Sequence, residues 1–309
     1  MDLSVVIAAR DASSTLPAQL DALARQRTTL RWEVVVADNG SSDDTRALVR
    51  ERARHWPGLR LVGASGRPGA GHARNVGAAN ARGRWLAFCD ADDVVGDGWV
   101  AALGAALDRA PLVAGRLEWR RLNDEATRRT RALPQVTGLQ STAPLTWLEH
   151  ASASDLGIHA DLFHALGGFD VAARFLQDTD LCWRAQLHGA DLVFAPDAVV
   201  HMRLRHGLRG AWRQGRNTGM GQRWLAVRYR ELAALRAGSE SSIPGARGTP
   251  GPLRFLRRLG LVVARATGIR RRGEAAALCW ELGFGVGFAR GGLADPDPFV
   301  APDRHTVLS

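Results

Sequence analysis

Three carboxylates stand within four residues at Asp90-Ala91-Asp92-Asp93. Crowded this way they repel one another unless a cation or water relieves them. An all-oxygen set suits Mg2+ or Mn2+, and either ion can neutralise a diphosphate. The same residues also suit an acidic turn at the head of a helix. Asp38, in ADNGSSDDT, stands at the end of another apolar run and reads either as a turn residue or as an acceptor for a base or ribose. A third acidic group, Asp178 and Asp180 in FLQDTDLCW, falls where its charge complements the first turn of a helix. His201, after APDAVV, is a lone histidine behind a strand, a setting usual for a structural residue.

These residues need elements to hold them, and the first hundred residues alternate strand and helix patterns. LSVVIAA (3–9), WEVVVAD (32–38), LRLVGA (59–64) and RWLAFCD (84–90) are apolar runs fit for buried strands. Between them, 14–27, 43–55 and 71–82 carry helical spacing, with Ser41, Ser42 and Asp43 as cap candidates. That rhythm predicts a mostly parallel sheet flanked by helices, with ligands beyond the carboxyl ends of the strands. The rule picks out Ala9, Arg10, Asp38 and Asp90. Further on, the pattern predicts a strand at 112–119, helices near 160–167 and 178–188, and two short strands within 191–203. Residues 207–237 read as an Arg- and Trp-rich helix, and 253–267 and 272–290 as further helical stretches.

Composition bounds the rest. The 309 residues suffice for one sizeable α/β core plus an appendage. No apolar run approaches the roughly 18 residues that span a bilayer, and the start, MDLSVVIAARD, reads as a strand rather than a signal peptide. Three scattered cysteines form no zinc spacing and suit a reducing cytoplasm. Every basic residue is arginine. Residues 1–200 hold 22 of them against 24 acidic residues, whereas 201–293 hold 18 against 4. Such asymmetry suggests a basic surface for phosphate-bearing partners or an anionic membrane. The expected organisation is a catalytic domain at 1–205, a basic helical segment closing the site at 206–237, a linker at 238–252, a basic helical region at 253–293 and a tail at 294–309.

Four segments in order, SVVIAARDASSTLPAQLDAL, EVVVADNGSSDDT, ARNVGAANARGRWLAFCDADD and GGFDVAARFLQDTDLCWRAQLHGA, resemble the family 2 glycosyltransferases of the GT-A fold, over roughly residues 3–203. The resemblance implies an inverting, non-processive transfer of a sugar from a nucleotide-sugar donor, with a UDP-sugar the expected one, to an acceptor hydroxyl in cell-envelope or other glycan biosynthesis. It implies that Ala9, Arg10, Asp11, Asp38, Arg74, Asp90 and Ala91 bind the nucleotide sugar, and that Asp92 and His201 hold Mn2+ or Mg2+ as part of a DXD motif. Asp178 becomes the catalytic base, and Asp155, Gly168, Trp183 and Arg184 fall on the acceptor side. The acceptor is expected to be a glycan, a lipid-linked molecule or a small molecule.

Several positions depart from the family pattern. Ala8-Ala9 replaces a Pro-Thr ending of the first strand, Gln177 replaces the Glu before the catalytic Asp, and Asp155 stands where relatives carry Asn. Gln177 removes a charge and keeps open another class of function, a non-catalytic nucleotide-sugar-binding scaffold of an envelope-assembly complex. Nucleic-acid binding is disfavoured, since no binding module is recognisable and the acidic cleft repels phosphate. Location is expected to be cytoplasmic, with peripheral contact at the inner face of the plasma membrane. The 253–293 region is expected either to lie in that interface, or to pack on the catalytic domain or form a homodimer contact.

Overall fold

The computed structural model describes residues 1–128, 134–239, 272–292, 294 and 296–299. Its first half alternates β1 (Leu3–Ala9), α1 (Leu16–Ala24), β2 (Trp32–Asp38), α2 (Thr45–His55), β3 (Leu59–Gly63), α3 (Ala70–Ala79) and β4 (Trp85–Asp90). The apolar runs become strands buried on both faces, which is why they carry no polar alternation. Helix α3 rides close on β1 because its residues are small: a side chain at Gly77 would meet Val6 Cγ1 at 2.4 Å.

The second half holds β5 (Val94–Val95), α4 (Trp99–Leu107), β6 (Leu112–Glu118), α5 (Glu125–Arg128), β7 (Gln140–Ser141) and β8 (Glu149–His150). A 3-10 turn (Ala153–Asp155), β9 (Leu156–His159), α6 (Ala160–Ala165), α7 (Gln177–Leu187) and β10 (Leu192–His201) follow. The helices α8 (Gly207–Arg228), α9 (Arg230–Ser239) and α10 (Arg272–Arg290) complete the described chain. Eight strands form one sheet in the order β3-β2-β1-β4-β9-β6-β10-β5. It is mostly parallel, with β9 running antiparallel between β4 and β6, and β5 antiparallel on β10.

The sheet's register is what gathers the chemistry. Ala9 pairs with Asp38 and Ala8 with Asp90, so β2 and β4 bring their terminal carboxylates to either side of the end of β1. Farther along the sheet, His201 at the end of β10 is paired with Glu118 at the end of β6.

The pattern's misses are local. Instead of two short strands within 191–203 there is one strand, β10, with an irregularity between Ala195 and Val199 that carries it past the proline at 196. The helix expected over 207–237 breaks at Tyr229, whose buried ring fixes the junction of α8 and α9. The short strands β7, β8 and β9 carried no legible signal.

Helix α10 packs parallel to α8 through glycines on both sides. A side chain at Gly215 would lie 2.0 Å from Trp280 O, one at Gly219 2.2 Å from Phe284 O, and one at Gly287 2.0 Å from Arg216 O. No larger residue fits. The 272–290 stretch therefore packs on the basic helix of its own chain rather than standing apart. Most of the linker expected at 238–252 and all of the helix expected at 253–267 lie outside the described residues.

Candidate active site

The loops after β1 and β2 are stitched together by short polar side chains. Asp11, held at a positive φ of 50°, accepts from Ser42 N at 2.8 Å and Ser42 Oγ at 3.0 Å. Ala12 N donates to Thr45 Oγ1 and Ser13 N to Asp43. Ser41 and Asp43 thus join the two loops, while Asp44 takes the cap position of α2. Asp38 is 3% exposed, accepts from Ser41 N and has Arg46 Nε at 3.8 Å. A cleft of about 380 Å³ opens beside it, lined by Arg46, Leu61, Val62, Gly63 and Ser65. Ala9 is buried and Arg10 largely exposed, 3.7 Å from Asp11.

Asp90, Asp92 and Asp93 offer oxygens that lie within 4.8 Å of one another. Arg74, almost fully buried, donates to Asp90 Oδ1 at 2.5 Å, and Ser154 Oγ donates to Asp90 Oδ2 at 2.8 Å. Arg203 N donates to Asp93 Oδ1 at 2.7 Å and Arg203 Nε to the Asp92 carbonyl at 3.0 Å. Burial first, then the charge of Asp90, pushes the Asp92 carboxyl up. The same two causes push Asp93 far higher, against the opposing N–H of Arg203. Asp93 Oδ2 is buried with no hydrogen-bond partner. Three crowded carboxylates, two resisting ionisation and one with an orphaned oxygen, are the donor set a hard divalent cation satisfies. The residues present therefore fit Mn2+ or Mg2+.

His201 is not part of that set. Its Nδ1 lies 2.7 Å from Glu118 Oε2, and Glu118 also accepts from Arg120 N and Arg121 N. Burial alone would raise the Glu118 carboxyl, but those hydrogen bonds outweigh it and hold it low. A carboxylate that can only accept fixes the ring so that Nε2 is the nitrogen left to meet a cation.

Asp178 opens α7 behind Leu176, which sits in the left-handed region at φ 58°. Its Oδ2 accepts from Ala153 N at 3.1 Å. The turn at 153–155 thus touches both acidic centres: Ala153 holds Asp178, and its neighbour Ser154 holds Asp90. Gln177 does not face that turn. With its amide oriented to satisfy its neighbours, its oxygen accepts from Arg74 Nη1 at 3.0 Å and its nitrogen donates to Ala173 O. Arg74 therefore joins Asp90 to the head of α7.

The four residues expected on the acceptor side are interior residues instead. Asp155 is 0% exposed and accepts from Trp99 Nε1 at 2.8 Å. Burial lifts its carboxyl far above the ordinary range, and Gly115 leaves it the space. Trp183 packs edge-on against Tyr229. Arg184 donates to Asp180, Leu166 O and Gly168 O. Gly168, at φ 72°, turns the chain so that Phe169 exchanges two hydrogen bonds with Asn75. A helix face that looks polar in sequence is here a set of buried pairs.

Comparisons with known proteins agree with this geometry. The sequence model of glycosyl transferase family 2 matches residues 4–163. A succinoglycan biosynthesis protein, ExoO of Rhizobium meliloti, is 42% identical over 95 residues, 30% of this chain and 26% of that protein. The pre-mycofactocin glycosyltransferase of Mycobacterium tuberculosis is 30% identical over 240 residues, 73% of this chain and 49% of its own. The chain thus spans about a quarter to a half of these relatives' length. Among solved structures, the mannosyltransferase PcManGT from Pyrobaculum calidifontis, in complex with GDP-Man and Mn2+, superposes with a TM-score of 0.61 at 19% identity, covering 93% of this chain and 86% of that one. Staphylococcus aureus TarS 1-349 in complex with UDP gives 0.55 at 15% identity, over 94% and 92%. At such identities the likeness establishes the fold, the GT-A arrangement of a curled, mostly parallel sheet.

Proposed function

The chain belongs to glycosyl transferase family 2, and from that premise we propose that it moves a sugar from a nucleotide-sugar donor to an acceptor hydroxyl with inversion at the anomeric carbon. One observation carries the reading: the turn at 153–155 ties a lone accessible carboxylate, Asp178, to a carboxylate cluster suited to a diphosphate-bound cation. One centre serves the acceptor and the other the leaving group.

On the donor side, Asp38 accepts from a base N–H, with the adjoining cleft giving room for the ring. Arg10 and Asp11 follow β1 on the loop that Ser41 and Ser42 tie to the Asp38 loop, and Asp90, held by Arg74 and Ser154, is the proposed partner of the ribose. A UDP-sugar is the proposed donor; TarS in complex with UDP shares the fold. Asp92 and Asp93 would hold Mn2+ or Mg2+, with Nε2 of His201 as a further ligand, and the ion would supply positive charge to the departing diphosphate. Arg203 and Arg205 add fixed positive charge at the same place, since both act on Asp92.

On the acceptor side, Asp178 takes the proton from the attacking hydroxyl. Backbone N–H groups of Ala153 and Thr179 each hold one of its carboxylate oxygens, which fixes the orientation of the group. A single base and a single displacement give inversion. The acceptor is proposed to be a glycan, lipid-linked or small molecule of envelope biosynthesis, met at the inner face of the membrane. No described helix is long and apolar enough to cross a membrane.

Asp178→Asn keeps the shape and removes the proton acceptor. Turnover is expected to fall about 10²–10⁴-fold, with nucleotide affinity by calorimetry unchanged. Near-parental turnover would remove Asp178 from the role, and Asp155 and Asp180, both fully buried, could not replace it.

A further inference from the structure

Helix α8 carries five arginines and no acidic residue. Arg228 is spent inside the protein, bonded to Asp170 and 3.1 Å from Asp180. The other four, Arg209, Arg213, Arg216 and Arg223, are all exposed. At about 100° per residue they fall within an arc of roughly 80° on one side of the helix. They extend over about 21 Å at 1.5 Å per residue. None of the four has an ion-pair partner among the described residues. Met220 shares the arc but is covered by Gly292, so the arginines are what that side presents. The glycine-lined face of α8 is taken up by α10, and Trp224 and Leu225 are taken up by the catalytic domain.

We propose that this row of arginines is a docking surface for the anionic face of a lipid bilayer. The shape of the charge decides the occupant. A small anion or a nucleotide needs donors that converge on a point, whereas these four are strung along a straight rod. A plane of anionic headgroups meets such a row at every position. Exposed apolar side chains accompany the charge on the same helix pair: Leu208 at 50%, Leu282 at 38% and Phe288 at 41% exposed. Arginine heads reaching phosphates with apolar groups alongside is the composition of an interfacial helix. The row also begins close to the site, six residues beyond Arg203, which bonds Asp92 and Asp93. A membrane bound there would hold the carboxylate cluster near the lipid surface. The surface names the element responsible for the peripheral contact, and it requires nothing of the transfer chemistry.

The experiment is vesicle cosedimentation of the full chain, without donor or metal, on phosphatidylcholine with and without phosphatidylglycerol. The parent should bind only the anionic vesicles and release as salt rises. The variant Arg209→Gln/Arg213→Gln/Arg216→Gln/Arg223→Gln should lose about 10²–10³-fold in partitioning. A charge-matched control, Arg25→Gln/Arg27→Gln/Arg31→Gln/Arg109→Gln, removes the same charge from other exposed positions and should bind as the parent does. The pairs Arg209→Gln/Arg213→Gln and Arg216→Gln/Arg223→Gln should each show part of the loss, which guards against misfolding of the quadruple variant. A parent indifferent to phosphatidylglycerol overturns the proposal. So does equal loss in the control, which would leave only net charge, or capture by duplex DNA with the vesicles ignored. Failure of glycosyl transfer in a separate assay would leave this outcome untouched.

Discussion

Asp155 is a carboxylic acid sealed in the core, and its behaviour with pH follows from that. Burial raises its folded pKa above the unfolded value of about 3.9. Across the window between those values the native state keeps a proton that the unfolded chain has lost, so the parent loses stability as pH rises through it. Asparagine does not titrate. Asp155→Asn should therefore melt several degrees higher than the parent at pH 7, with the gain shrinking toward pH 4. A gain that grew on acidification would contradict this account. At this scale the sequence was informative where a residue ends a strand: Asp38, Asp90 and Asp92 were legible because an apolar run delivers them to the sheet edge. It was misleading within α7, where Trp183 and Arg184, expected on the acceptor side, turn inward: Trp183 packs against Tyr229 and Arg184 donates to Leu166 O and Gly168 O. Ser154 and Glu118 had no local signal, since their roles depend on pairings with Asp90 and His201 that only the folded sheet creates.

Elements decide whether those residues stay in place. Helix α7 is clamped to α8 by Asp180, which is 0% exposed and accepts from Arg184 Nε at 2.8 Å and Tyr229 OH at 2.8 Å, with Arg228 also beside it. Removing one partner of a buried charged group leaves the others uncompensated. Asp180→Asn should cost about 3–5 kcal/mol in urea unfolding, whereas Asp178→Asn, about half a turn away, should cost far less. Equal losses would mean that Asp178 too is chiefly structural. The parallel half of the sheet and its helices were readable because their periodicity is uninterrupted. Of the stretch from 111 to 160 only β6 was readable; β9 was not, because it is a four-residue strand inserted antiparallel between distant partners. The basic helices were visible as composition, but their parallel packing was not, because it depends on the facing positions of Gly215, Gly219, Gly283 and Gly287.

The whole molecule places a cleft beside Asp38 and a cation-suited carboxylate cluster at the strand ends of one sheet, with Asp178 tied to that cluster by the turn at 153–155. In the proposed account the assembly of α8 and α10 orients that edge, and the carboxylates at the strand ends act with Asp178 at the head of α7 in the transfer. The scaffold alternative rested on Gln177, and Gln177 bonds Arg74 and Ala173 rather than Asp178, the proposed base. The measurement that separates the two is release of nucleoside diphosphate from a panel of sugar nucleotides, with Mn2+ and a glycan or lipid-linked acceptor fraction present. We expect turnover by the parent, its loss with EDTA and its recovery on adding Mn2+ or Mg2+, and no turnover by a folded Asp92→Asn variant. Tight binding of a sugar nucleotide with no turnover across the panel, or full turnover in metal-free buffer, would contradict the account.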